Sequence, residues 1–363
     1  MIAYVGSRSL HNLMQTDDSS IVLPSAKTPE GYLWPCSPSS FDPQCTAGGQ
    51  LQQPGGGPVT LVLNPTLNPA FGRVPATLWN SDGIYHALEV QVQKRISHGL
   101  SGAVSYTWGR TIDTASGSTD GDQFKNGLSS QFFFDPRLRR GPSDFNQTHN
   151  VVVNYTWQIP SPKTFPRVLG WAASGWEFGG IFSASTGVPF TVTIAPDPLG
   201  LNNTDAFNFP DIVHGCNPVH GGLNYLNLNC FTLPQATPDI ASQCQPFGFV
   251  SAALPGPSVP SPGIPGTCAN LLGNSRRNNI VGPALVNLDM SLFKNNYVRR
   301  VSEQFNVQFR MEVFNILNHA NFNPPTSNSQ VFDGSGNAVG SAGLLDTTAT
   351  TSRQVQFAIK VIW

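Results

Sequence analysis

Glu303 to Asn318 reads Glu-Gln-Phe-Asn-Val-Gln-Phe-Arg-Met-Glu-Val-Phe-Asn-Ile-Leu-Asn. Phe305, Val307, Phe309, Met311 and Val313 alternate there with Gln304, Asn306, Gln308, Arg310 and Glu312. Successive side chains of a strand point to opposite faces, so the stretch predicts a strand with one apolar and one polar face. As a single strand it is longer than is usual in globular proteins. The last residues repeat the pattern: Val355, Phe357, Ile359, Val361 and Trp363 alternate with Gln354, Gln356, Ala358 and Lys360. A tilted strand crosses a bilayer with roughly 9–11 residues, and both stretches supply them. The expected fold is all-β, with these strands in the wall of an antiparallel transmembrane barrel.

Composition agrees. Charged residues make up 11% of the 363, against the roughly 25% of soluble globular chains. The 35 glycines and 31 prolines fall mostly between the alternating segments, which suits long ordered loops. A net charge of −1 leaves no electrostatic footprint for nucleic acid. No apolar run reaches the ~20 residues of a membrane helix, so a bilayer can be met only with strands. Residues 1–8, Met-Ile-Ala-Tyr-Val-Gly-Ser-Arg, lack the basic start and apolar centre of a secretory signal and read as part of a strand. The expectation from that start is a piece of a longer protein or a misplaced beginning.

About eight long, meandering strands are expected in chain order: 2–12, 85–96, 100–110, 148–158, 174–193, 285–294, the opening stretch, and the C-terminal one. On the second, Glu89, Gln91, Gln93 and Arg95 alternate with Leu88, Val90, Val92 and Lys94. Ser97-His98-Gly99 turns tightly into the third, which carries Leu100, Val104, Tyr106 and Trp108 on one face. Pro189 marks a bulge or the upper end of the fifth. The connections alternate long and short. Outer-membrane barrels have that asymmetry, with short periplasmic turns and long extracellular loops, here 13–82, 112–147, 195–284 and 318–351. Glu89, Gln91, Gln93, Arg95, Gln308, Arg310, Glu312 and Gln356 would then face the lumen, and lipid would cover the other face. Trp108 belongs to an outer aromatic girdle, with Trp157, Trp171, Trp176 and Trp363 in a periplasmic one. A soluble β-sandwich, such as a secreted carbohydrate-binding domain, also alternates. Low charge, long strands and loop asymmetry weigh against it.

Catalytic signatures are missing: there is no Gly-x-Ser-x-Gly elbow, His-Glu-x-x-His helix or phosphate-binding glycine loop. Neither an enzyme nor a cofactor or metal site is expected. Cys36, Cys45, Cys216, Cys230, Cys244 and Cys268 all fall in extracellular loops, where an even count suggests disulfides. Neighbours in sequence would pair as Cys36–Cys45, Cys216–Cys230 and Cys244–Cys268, although sequence leaves pairing open. A metal site at His214, Cys216 and His220 matches no familiar ligand spacing. Asp120-Gly121-Asp122 reads as a turn more readily than as a calcium loop. Arg310 and Glu312 have two readings, a grip on a plug or an ion-pair ladder within the wall, and the ladder is the preferred one. Phe132-Phe133-Phe134 either meets an apolar ligand or packs under its own loop, the commoner case. His319, beside Asn318 and Asn321, reads as part of a strand-end cap.

Gln308 to His319 with Asn321-Phe322 resembles the penultimate strand of TonB-dependent outer-membrane receptors, in particular the large Oar-like branch of acidobacterial genomes. Further pieces follow that family's order: Tyr85-His86-Ala87-Leu88-Glu89 with Lys94-Arg95, Ser105-Tyr106-Thr107-Trp108, and Ser143-Asp144-Phe145. Gly282-Pro283, Asp289 to Lys294 and Arg353 to Ala358 complete the set. The resemblance implies the C-terminal part of a plugged barrel of the roughly 22-stranded class. It implies an unidentified ligand taken up through the outer membrane, with a plug domain and the TonB complex as partners. No plug segment, TonB box or signal is recognisable in the sequence, so the expectation is a receptor fragment. A passive porin or structural outer-membrane protein is the alternative.

Overall fold

The computed structural model describes residues 1–16, 19, 74–117, 134–161, 166–195, 208–234, 273–298, 300–334 and 336–363. It also describes short strand pieces at 26–28, 31–34, 50–52, 58–60, 129–130, 246–247, 264–265 and 267–269. Eight long strands run in chain order: β1 (Ile2–Thr16), β2 (Ala76–Ser97), β3 (Leu100–Asp113), β4 (His149–Gln158), β5 (Trp176–Ser185), β6 (Leu285–Tyr297), β7 (Asn306–Phe314) and β8 (Gln354–Ile362). Each pairs antiparallel with its neighbour in sequence, so the sheet is a meander from β1 to β8. Ser129–Ser130 adds a short parallel pair to β1, and Gly141–Pro142 pairs with β3. Among the described residues β1 and β8 are not paired, and the sheet is an open, partial barrel wall.

Register makes the alternation of each strand into a property of the whole sheet. Val92, Val104, Val153, Phe182 and Leu288 stand opposite one another across β2 to β6. Phe178, Leu292, Met311 and Phe357 do the same from β5 to β8. Opposed residues share a face, so one side is apolar from end to end. The next row along is Gln91, Ser105, Val152, Ser183 and Asn287, and that side is mainly polar. The apolar side is open: Val92 is 62% exposed, Phe357 63% and Ile359 73%. A sandwich would bury that side under a second sheet, so the soluble reading does not fit.

Long and short connections alternate along the meander. The β2–β3 turn is two residues, His98 and Gly99, both at positive φ (54° and 77°). That is the type I′ geometry whose twist matches a hairpin. The β4–β5 connection contains the helix α1 (Arg167–Ala173), where the sequence suggested only a short connection. Its seven residues are too few to show helical periodicity.

Several expected boundaries move. β7 covers Asn306–Phe314 and not the full opening stretch, because Asn315 turns into the left-handed region at φ 49°. β5 stops at Ser185; Pro189–Phe190 leaves the sheet to pair with Ile280–Val281. β1 and β2 both extend further up, with bulges near Ser9 and Asn12, and β3 reaches Asp113.

The buried apolar core lies outside the wall. Phe190, Val192, Ile194, Leu226, Phe231, Ile280 and Val331 pack together from four stretches of the long-loop end. Short pairs join them: Thr193–Ile194 with Gln330–Phe332, and Asp211–Ile212 with Phe231–Thr232. This suits a protein whose wall has lipid on its apolar side. Only the loops stand in water and need a core of the ordinary kind.

Candidate functional site

At the long-loop end of the polar face, Arg277 ties the loops to the wall. Its side chain is 1% exposed. Nε donates to Arg139 O at 2.9 Å, Nη1 to Ser116 Oγ at 3.0 Å, and Nη2 to Asp113 O at 2.7 Å. The guanidinium also pairs with the Asp113 carboxylate, and Asp144 Oδ1 lies 3.6 Å from Nη1. Asp113 accepts further from Ser143 Oγ and Ser116 Oγ. Next in sequence, Asn278 donates to Pro142 O (2.8 Å) and Asp144 Oδ1 (2.6 Å) and accepts from Thr191 Oγ1 (3.1 Å). A buried guanidinium needs its charge and all its donors answered, and four chain segments converge here to do so. The result is a fixed junction between the top of β3, the 134–146 connection, the start of the β5–β6 loop and its end.

Beside the junction a cavity of about 910 Å³ opens against β1 to β4. Ser7, Tyr85, Glu89, Thr107 and Thr111 line it from the polar face, and Trp79, Phe145 and Gln147 line it too. Among the described residues its lining mixes aromatic faces with hydroxyl and amide groups and the carboxylates of Glu89 and Asp113, and includes no lysine or arginine. Such a site, roughly the size of small-molecule pockets, can hold a ligand by stacking and by a few directed polar contacts.

The remaining polar-face residues occupy defined rows. Gln91 and Gln93 stand opposite Ser105 and Ala103, and Arg95 follows them by alternation just before a register shift. Gln308, Arg310 and Glu312 stand opposite Lys360, Ala358 and Gln356. The expected Arg310–Glu312 ladder is not formed. Arg310 instead lies over the ring of Phe293, its cross-strand partner, at 4.6 Å, and its Nε has no hydrogen-bond partner. Residues two apart on a strand point the same way but stand nearly 7 Å apart along it, whereas an opposed ring is directly in reach.

A pattern of one apolar and one polar face over an antiparallel meander, with long loops at one end, agrees with the match found by comparison. The family model described as outer membrane beta barrel domain matches residues 1–356. The chain belongs to the outer membrane β-barrel domain family. No curated protein and no solved structure matches it. As in that family, the protein resides in the outer membrane, its apolar face toward lipid.

Within this barrel wall, other expected residues find places. Cys216 and Cys230 form a disulfide in the loop core, so Cys216 has no thiolate for a metal beside His214 and His220. Cys36, Cys45 and Cys244, the Cys268 side chain, Phe132, Phe133 and the Asp120-Gly121-Asp122 turn lie outside the described residues. Phe134 is half-buried. The strand-end cap is built as read: His319 N donates to Asn315 Oδ1, His319 Nδ1 meets Asn321 Oδ1 at 3.1 Å, and Arg353 N donates to Asn318 Oδ1. On the apolar face at the long-loop end, Trp108 and Tyr106 both stack on His149, in a rim cluster of the kind girdles use.

Sequence reasoning missed Arg277 and Asn278. Their one signal was a polar run, Ser275 to Asn279, inside a proline- and glycine-rich insertion. Ser143-Asp144-Phe145 was noticed as a motif without its reason: two of its side chains belong to the junction and the third lines the cavity.

Proposed function

We propose that this chain is the wall and loop part of an outer-membrane uptake receptor. Ligand binds at the loop end of the polar face, and uptake depends on a plug domain and the TonB complex as partners. The observation that supports this reading is the cavity held beside a cross-tied buried junction. A pre-formed site repays its fixed geometry in affinity, while a passive channel needs only an open lumen. The reading assigns binding and passage and no chemical step. It also treats residues 1–363 as one barrel portion of such a receptor.

The rival is a passive porin-like protein, which the family assignment accommodates equally. Two measurements separate them. Reconstituted in liposomes, a porin admits small sugars and the vesicles swell; a receptor wall reconstituted together with its plug domain leaves them tight. In cells, deletion of the TonB complex abolishes whatever uptake or growth advantage the protein confers. Swelling together with TonB-independent uptake would sink the receptor reading.

A further inference from the structure

The short-turn end of the wall carries α1, and its surroundings are unusual for a water-facing turn. Val168, Leu169 and Trp171 are 76%, 59% and 61% exposed. A helix leaves its last carbonyls without intrahelical donors, and in water those carbonyls bond solvent. Here protein groups take three of them, those of Gly170, Trp171 and Ala172. Ser174 N and Ser174 Oγ donate to Gly170 O. Lys294 Nζ donates to Trp171 O at 2.9 Å and to Ser174 O at 2.8 Å, and Trp176 Nε1 donates to Ala172 O at 2.8 Å. Lys294 also lies 4.9 Å from the Trp171 ring centroid and 5.5 Å from that of Trp176, within cation–π range. Lys294 and Trp176 face each other in register on the apolar side of the sheet, in the row of Phe309.

An apolar exterior combined with a backbone end sealed by side chains is what a segment needs when it leaves water for the edge of a bilayer. We propose that α1 is a membrane foot: it lies in the interface of the periplasmic leaflet and buries Val168, Leu169 and Trp171 among phospholipids. Lys294 is the clamp that holds it against the wall. The patch is continuous with the apolar face that already meets lipid, and this decides for lipid over a periplasmic protein as its occupant. The inference does not depend on the receptor reading, since a porin would seat the same foot.

The test places a photoreactive p-benzoylphenylalanine at position 169 of the full chain in native outer membranes and identifies its adducts by mass spectrometry. A phospholipid adduct is expected. Adducts to protein only, or none, overturn the proposal. In a Lys294→Met background the phospholipid adduct should fall severalfold while the barrel keeps its heat-modifiable gel mobility. An undiminished adduct would overturn the role of Lys294. Should that variant fail to fold, the adduct at 169 in the wild type decides alone.

Discussion

Arg277 carries more of the loop architecture than any other single side chain described. Arg277→Met keeps its approximate length and removes its donors, leaving the buried Asp113 carboxylate without the guanidinium it pairs with. Breaking a buried pair from one side costs roughly 3–5 kcal/mol, so the variant should lose about that much stability in urea unfolding. The loops should also become protease-sensitive while the wall persists. Asp211 gives a pH signature. Burial holds its carboxyl above the usual carboxylate range, outweighing the Asn274 N–H that pulls it down. A raised folded value means that the native state favours the protonated form. Its contribution is therefore full in acid and is lost as pH rises through the folded value. Wild-type loops should lose stability relative to Asp211→Asn as pH rises above the ordinary carboxylate value near ~4, as read from paired thermal melts. A constant difference between the two proteins would contradict this. At this scale the sequence was a poor guide, because Arg277 and Asp113 are separated by 164 positions and no local period announces their meeting.

Elements were far more legible. All eight long strands stand where alternation placed them, since an i, i+2 pattern is local and survives into the fold unchanged. Their ends were not legible, because ends are set by single residues and by partners. Asn315 terminates β7 by its backbone conformation and by donating Nδ2 to His319 O and Thr351 O. α1 depends likewise on Gly175, at φ 78°, where an added Cβ would sit 2.5 Å from Asn295 O. Gly175 O in turn accepts from Asn295 N at 2.8 Å. Gly175→Ala combines a left-handed backbone with a backbone clash, so a loss of more than about 1 kcal/mol is expected. Its site should be visible as faster hydrogen exchange at Ser174 and Asn295; unchanged exchange would mean that the turn has room to shift.

Over the whole molecule, two faces decide where the protein can exist. Met290 and Ser291 are neighbours near the middle of β6, and register places them on the apolar and the polar side respectively. Met290→Arg should cost roughly 2–4 kcal/mol of folding free energy in a bilayer, the range for a cation near the midplane of a barrel's lipid face. Ser291→Arg should be close to neutral. Equal penalties in urea titrations of vesicle-inserted protein would argue against a lipid-facing and a polar side. The loop core adds a second level, a water-facing unit with its own packing and a disulfide, mounted on a wall that has no such core.

By itself the sequence determined the strand meander, the two unlike faces, the long and short ends, and hence the membrane class, because each follows from short-range periodicity and composition. Tertiary structure alone decided the Arg277 junction, the cavity beside it, the packing of the loops, the Arg310–Phe293 stack and the clamped helix. These depend on residues brought together from distant parts of the chain by the register of the sheet. Their energies come from burial and exclusion of water at the meeting point, which no stretch of sequence contains.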